Sequence, residues 1–383
     1  MIQKGYKYRI YPNKQQEEFL MKSFGCARFI YNFGLAKKNQ EYANNKKSIN
    51  YYSLNTELNK LKKEKEWLTE VNSQSLQMAL RNLDNAFTKF FREKKGFPKF
   101  KSKNKNDFSF QMPQHVSIYE NKLYIPKVSE GIKIKLSREF KGKIKTTTIS
   151  KNAYDQFFVT LLVESEEECS NVTKKVNSKT TIGIDLGIKD FAVFSNGERI
   201  ANPRHLKNKL RKLKKIQRRH SRKVKGSNNR KKNRLILAHL HLKIKNQRGD
   251  FLHKLTHDLT HKKQVDTIVI EDLAVANMIK NHCLARAISD VGWGEFRRQL
   301  EYKCKWYGKN LIVIGRFEPS SKLCSNCGTI NSELKLSDRE WICSCGVKHD
   351  RDLLAANNIK NFGLTQYRRN YGNLHASGDV LVA

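Results

Sequence analysis

A multidomain α/β protein is predicted by three features of the 383-residue sequence. The first half holds a run of alternating β-type segments. The second half runs strand, helix, strand, helix. The length, at about 150 residues per domain, allows two or three domains. Hydrophobic residues make up 38% and aromatics 10%, which supplies cores and excludes a disordered basic tail. Lys and Arg number 75 against 36 Asp and Glu, a net charge of +39. That excess points to a polyanionic partner. An acidic membrane surface is the alternative polyanion, but no basic helix carries Trp or Phe on its opposite face. Mean hydropathy is −0.69, and no apolar run approaches the roughly 18 residues of a membrane span. The opening MIQKGYKYRIYPNKQQ has no apolar core of a secretory signal.

Residues 6–11 (YKYRIY) form a strand that Pro12 stops. Residues 14–92 are helical. Phe19, Leu20, Phe24, Phe29 and Leu35 mark one apolar stripe, and Leu76, Leu80, Leu83, Phe87 and Phe91 mark another. EYANNKKSINYY connects helices between them. Gly96 and Pro98 break a basic stretch at 89–105. Alternation then marks strands at FSFQM, KLYIP, GIKIKL, KTTTI and FFVTLLV between 107 and 165. The polar stretch ESEEECSNVTKKVNSKT is a linker, with a boundary near residue 178. Beyond it, TIGIDLG, DFAVF and ERIAN are strands, with a turn at Ser195, Asn196 and Gly197. Residues 204–259 form two helices joined at 226–229, with leucine stripes on each. VDTIVIE and NLIVIG are buried strands around a helix marked by Trp293, Phe296, Leu300 and Tyr307. A cysteine-rich insert precedes the last helix, which begins near Asp352.

Three acids occupy places where an unpaired charge is costly. Asp185 and Glu271 each end an apolar strand, and Asp352 opens the last helix. Adjacent parallel strands would bring the first two together. Three hard oxygen donors of this kind suit Mg²⁺ and phosphate substrates. Phosphodiester hydrolysis with two ions roughly 4 Å apart is the matching chemistry. The order of three strands, helices, strand, helix, strand, helix is ribonuclease-H-like. Asp190 and Asp272 read as solvated or supporting acids. Cys324-x-x-Cys327 and Cys343-x-Cys345 form two thiolate knuckles, a four-sulfur site for structural Zn²⁺. His349 is a competing ligand expected instead beside the Asp352 helix. Cys26, Cys169, Cys283 and Cys304 read as ordinary core or surface residues. Residues 201–250 hold 19 Lys and Arg with one acid, Asp250. Arg211, Lys215, Arg218, Arg219, Arg222 and Lys223 would give such helices a phosphate-binding face that reads no sequence. Phe90, Phe91, Phe97 and Phe100 in the second basic cluster could stack on bases, though most are expected in the core.

Taken together, YRIYPNKQQ, GCARFIYN, GFPKFKSK, GIDLGIKDFAV, NPRHL, KGSNNRKKNR, NQRGDFLHKL, VIEDLAVANM, SDVGWGEFRRQLEYKCKWYG, PSSKLCSNCG and CGVKHDRD run nearly end to end. In these motifs the chain resembles the TnpB (OrfB) family of insertion-sequence proteins, relatives of the type V CRISPR effectors. The resemblance implies an RNA-guided DNA endonuclease with a guide RNA from the transposon end and a target double-stranded DNA checked at a flanking motif. It implies a wedge β-barrel whose first strand is 1–13, with a helical recognition insert at 14–105 and the barrel remainder at 106–177. A RuvC-like nuclease domain follows at 178–316, with a zinc-ribbon insert at 317–348, a last helix at 349–363 and a tail at 364–383. The family's catalytic acids fall on Asp185, Glu271 and Asp352, with Mg²⁺ as their ion. Tyr51, Gln74 and Gln77 are the implied candidates for the flanking motif. A monomer in a prokaryotic cytosol or nucleoid, with no obligate protein partner, is the expected setting. Two positions depart from the family pattern: Leu354 stands where Asn is usual, and the second knuckle is Cys-x-Cys. The alternative is an RNA-guided binder that represses without cutting. A transposase that joins DNA is disfavoured by the family context.

Overall fold

A computed structural model describes residues 2–103, 108–165, 176–262, 264–335 and 338–371. The chain divides into two units, Met1–Glu168 and Cys169–Ala383, and the division falls inside the segment read as a linker.

In the first unit, strand β1 (Ile2–Tyr11) is followed by helices α1 (Lys14–Asn45), α2 (Tyr51–Glu64) and α3 (Ser73–Glu93). Strands β2 (Phe108–Met112), β3 (Ser117–Tyr119), β4 (Lys122–Ile125), β5 (Val128–Lys135), β6 (Lys143–Lys151) and β7 (Phe157–Ser165) complete it. The strands form one antiparallel sheet in the order β2-β6-β7-β1-β5-β4-β3. The helices are thus inserted between the first strand and the rest, as the sequence implies. Among the described residues no pairing joins β2 to β3. Strict alternation puts Phe157, Val159, Leu161 and Val163 of β7 inside. Leu20, Phe24 and Ile30 of α1 share that core with Leu76, Leu80 and Leu83 of α3. Asn13 and Gln16 close a capping box at the start of α1, and Gln16 Nε2 donates to Gly131 O of β5 at 3.0 Å. Such a cap satisfies backbone N–H groups that a helix start leaves open. Helix α1 absorbs EYANN, which was read as a connection. Phe91, Phe97 and Phe100 are exposed, against the expectation of core packing. They lie beyond Leu83, the last buried apolar residue of α3.

In the second unit, strands β8 (Thr181–Leu186), β9 (Asp190–Phe194) and β10 (Arg199–Ala201) precede helices α4 (His205–Ser221) and α5 (Asn228–His257). Then come β11 (Thr267–Glu271), the short helices α6 (Val275–Met278) and α7 (Ala285–Val291), α8 (Trp293–Tyr307) and β12 (Asn310–Ile314). A hairpin of β13 (Glu340–Ile342) and β14 (Lys348–Asp350) leads into α9 (Arg351–Tyr371). Helix α9 runs past residue 363 into the segment read as a tail. The sheet order is β10-β9-β8-β11-β12, with β8, β11 and β12 parallel. One face of this sheet packs Ile182, Ile184, Ile268 and Ile270 against Leu252, Leu255, Phe296 and Leu300 of α5 and α8. The other face carries α9, with Val269, Ile314 and Ile359 in a smaller core. Helices α4 and α5 pair through Leu213, Leu240 and Ile244. Among the described residues, no helix is long and apolar enough to cross a membrane.

Candidate active site and a neighbouring cysteine cluster

Parallel register fixes where the first two acids stand. Ile184 of β8 lies opposite Ile270 of β11. Asp185 and Glu271, one residue further on, therefore sit side by side at the strand ends. Because side chains alternate, both project to the face opposite Ile184 and Ile270, which is the α9 face.

Two glycines let α9 come close enough to add the third acid. A Cβ on Gly183 would sit 2.2 Å from Ala356 O and 2.7 Å from Lys360 N, so only glycine admits the α9 backbone there. A Cβ on Gly363 would sit 2.4 Å from Val269 Cγ1. Asp352 precedes Ala356 by about one turn, so this approach carries its carboxylate toward the strand ends. The charges feel one another. Burial, then Glu271, then Asp352 push the Asp185 carboxyl up to about 7, while Arg351 opposes them. Burial also raises Glu271, against a hydrogen bond donated by Ser320. All the donors in this cluster are hard oxygens.

Several side chains that sequence reasoning missed hold the acids in place. Ser320 Oγ donates to Glu271 Oε1 at 2.6 Å. Asn358, on α9 and 2% exposed, donates from Nδ2 to Ser320 O and Leu323 O, each at 2.7 Å. The helix that bears Asp352 thus also secures the loop that bonds Glu271. Arg339 Nη1 lies 3.3 Å from Asp352 Oδ2, with Arg351 and Arg199 each at 3.9 Å. Asp272 is clamped between Arg297 at 2.5 Å and Arg316 at 2.6 Å, which pulls its carboxyl below the usual range. Asp190 bonds Arg199 at 3.4 Å. Both acids are satisfied by arginines, whereas Asp185 and Glu271 are raised by burial.

The four insert thiols gather as their spacing predicts. Cys324 and Cys345 Sγ are 3.8 Å apart, and Cys327 and Cys343 are 3.5 Å apart. All four ligand atoms lie within 4.8 Å of one another. A tetrahedron of Zn–S bonds near 2.3 Å has edges of about 3.8 Å, so the donor set fits Zn²⁺ and lies far from disulfide distance. Among the described residues, these four cysteines are the one group of His, Cys, Asp or Glu side chains gathered to hold a metal ion. His349 Nε2 lies 3.1 Å from Cys324 Sγ, and its ring meets Trp341 at 4.8 Å. Leu354, at the usual Asn position, is buried with Cys324, Trp341 and Cys343. It fastens α9 to the insert as an apolar plug. Cys26 and Cys304 are buried, Cys283 is exposed, and Cys169 lies outside the described residues.

The basic face is real and continuous. Arg211, Lys215, Arg218, Arg219, Arg222 and Lys223, with Lys214, line an open cleft of about 680 Å³ along α4. The borrowed flanking-motif candidates fare unevenly. Gln74 lines a cleft of about 480 Å³ with Asn72, Ser73, His115, Tyr124 and Lys127, and its Nε2 donates to Gln114 at 3.1 Å. Tyr51 packs under the Arg81 guanidinium at 5.2 Å. Gln77 is half-buried on α3, and neither residue is among the described lining of the Gln74 cleft.

Comparison with known proteins agrees on one lineage. Residues 160–282 match the OrfB_IS605 family, described as "Probable transposase". Residues 293–359 match the Cas12f1-like TNB domain. Residues 1–47 match a helix-turn-helix domain of OrfB_IS605, although here they form one strand and one continuous helix. A protein of Streptomyces pristinaespiralis, provisionally named an RNA-guided DNA endonuclease, is 42% identical over 95% of this chain and 90% of its own. One from Escherichia coli K12, named likewise, is 33% identical over 92% of each. Among solved structures, the protein of a Cas12f1–sgRNA–target DNA complex shares the fold, with a TM-score of 0.55 at 16% identity over 94% of this chain and 99% of that one.

Proposed function

The chain belongs to the OrfB_IS605 (TnpB) family, and from that premise we propose that it is an RNA-guided DNA endonuclease whose cleavage centre is Asp185, Glu271 and Asp352. The observation that carries this reading is the meeting of three acids at two parallel strand ends and a helix start, with Asp185 pushed to about 7, in a protein of net charge +39. Nothing in a basic nucleic-acid binder needs such a cluster, which repels the phosphates that the rest of the surface attracts. The sheet order and the position of α9 support a ribonuclease-H-like, RuvC-type nuclease domain. The seven-stranded sheet with its inserted helices would supply the wedge and recognition parts in the first unit.

The three carboxylates would hold Mg²⁺, which suits hard oxygen donors and phosphate substrates. Bound there, divalent ions supply a nucleophilic water and charge stabilisation at the leaving oxygen. The residues of the chain set the geometry. Ser320 fixes one oxygen of Glu271 and leaves the other free to ligate. Gly183 and Gly363 set how near Asp352 stands. The α4 cations position the duplex by its phosphates. The four cysteines would bind Zn²⁺ and fold an insert whose core is little more than Trp341, Leu354 and the thiols themselves. The guide is read as an RNA from the transposon end. Leu354 was the one feature favouring a non-cutting repressor. Its burial on the insert side accounts for it without any loss of the acids.

The test is cleavage by the ribonucleoprotein. The protein is co-expressed with its native downstream flank and purified with the RNA it holds. In Mg²⁺ it is given plasmids bearing a guide match beside randomised sequence. Cuts confined to one flanking motif are expected. Tight RNA-dependent binding without cuts would establish the repressor instead.

A further inference from the structure

We propose that the tip of α3 and the loop after it form a stacking platform for the unpaired bases of a nucleic-acid strand. Phe91 is 72% exposed, Phe97 47% and Phe100 54%. Large rings gathered on open surface mark an interaction site more often than an accident of packing. Phe91 and Phe97 belong to one ring cluster. Phe90 meets Phe91 edge-on at 5.0 Å and Phe97 at 5.4 Å, and Phe87 meets Phe97 at 5.5 Å with rings near perpendicular. Phe87 itself packs against the core of the unit and anchors the group.

The platform is fixed in place although it is exposed. Lys94 ends α3 in the left-handed conformation, φ 50°. Pro98 is buried beneath the loop. The Asn32 side chain grips Lys101 from both sides, donating to its carbonyl at 2.9 Å and accepting from its N–H at 2.8 Å. A preset surface pays less ordering entropy on binding.

Charge names the occupant. Lys89, Arg92, Lys94, Lys95, Lys99 and Lys101 surround the rings, and all are exposed. Glu93 is the one acid in residues 89–101, and Lys95 pairs with it at 3.1 Å. A second copy of the chain would bring the same cations against these, and an apolar protein face would leave them unpaired. A single strand offers what the patch lacks: flat rings for the phenylalanines and phosphates for the lysines. A duplex hides its rings and would meet only the cations. Rings and phosphates are common to RNA and DNA, so the chemistry takes either. The proposal adds to the nuclease reading without depending on it.

The test uses the full chain and a single strand carrying 2-aminopurine, made as RNA and as DNA, with each duplex as control. Wild type is expected to quench the probe in the single strands and not in the duplexes. Phe91→Ala with Phe97→Ala should lose the quench and bind single strands about tenfold to a hundredfold more weakly, with duplex binding and melting temperature unchanged. Phe91→Trp, which keeps a ring, should retain the quench, and this holds the proposal open to test if the double variant folds poorly. Quenching of one sugar type alone supports the proposal and names its strand. Unchanged single-strand binding in the double variant, or equal loss for duplexes, overturns it. So does a wild-type dimer that the phenylalanine variants dissociate in sedimentation, which would make the patch a contact between copies.

Discussion

The four thiols come from one short insert and already stand at the spacing of a tetrahedral ion. The three carboxylates come from β8, β11 and α9, far apart in sequence. The first cluster is local and is built by two tight knuckles. The second is assembled by the sheet, and its shape is only as good as the packing of α9 on two strands. The difference teaches where each can be damaged. The insert depends on its own ligands. The acid cluster depends on glycines and hydrogen bonds that carry no charge and touch no phosphate.

Removing the insert's ion should have the largest effect on structure. Cys324→Ser, or strong chelation, should release zinc and unfold the insert, since structural zinc sites supply about 10–16 kcal/mol in small domains. Elemental analysis and protease sensitivity near residues 317–348 would register it. No zinc in the wild type and an unchanged digestion pattern would break the comparison. Next comes Gly183→Ala. Its methyl meets the backbone of α9, and such overpacking costs about 3 kcal/mol. Cleavage should fall with stability, because Asp352 moves with the helix, while zinc content stays at wild type. Asn358→Ala should cost about 2 kcal/mol by leaving two buried carbonyls without a donor. Ser320 then loses its tether, so half-maximal cleavage should need more Mg²⁺. An unaltered Mg²⁺ requirement would separate the loop from the site.

The metal-free protein should also show a pH dependence. Asp185 is raised to about 7 when folded and lies near 3.9 when unfolded. The folded state therefore binds more protons between these values, and stability should fall as pH rises from about 4 to 7. Asp185→Asn should flatten that slope in thermal melts.

Legibility in the sequence follows the same division. Cysteine spacing is a local signal, and the four thiols it singled out lie within 4.8 Å of one another. The acids were legible because each ends an apolar strand or opens a helix, and the chain order of those elements implied their meeting. Ser320 and Asn358 were not legible. Their partners lie 49 and 38 residues away, and no local pattern distinguishes them from other polar residues. Gly183 was visible in GIDLG, but only the packed helix explains why it must be glycine. Phe91 at the end of α3 and Phe97 and Phe100 in the loop after it are exposed, because apolar residue type and spacing do not tell whether anything covers them. Tyr51 and Gln77 were carried over by resemblance alone, and they do not join Gln74 in its cleft.

The central claim is that three acids from distant elements form the cleavage centre. Asp185→Asn tests it most directly, since it removes one charge and keeps nearly the same volume. RNA content, target binding and strand cleavage should be measured on the same purified ribonucleoprotein. The account predicts unchanged RNA and target binding, with cleavage below about a hundredth of wild type. Cleavage near the wild-type rate would contradict it and move the chemistry elsewhere in the molecule.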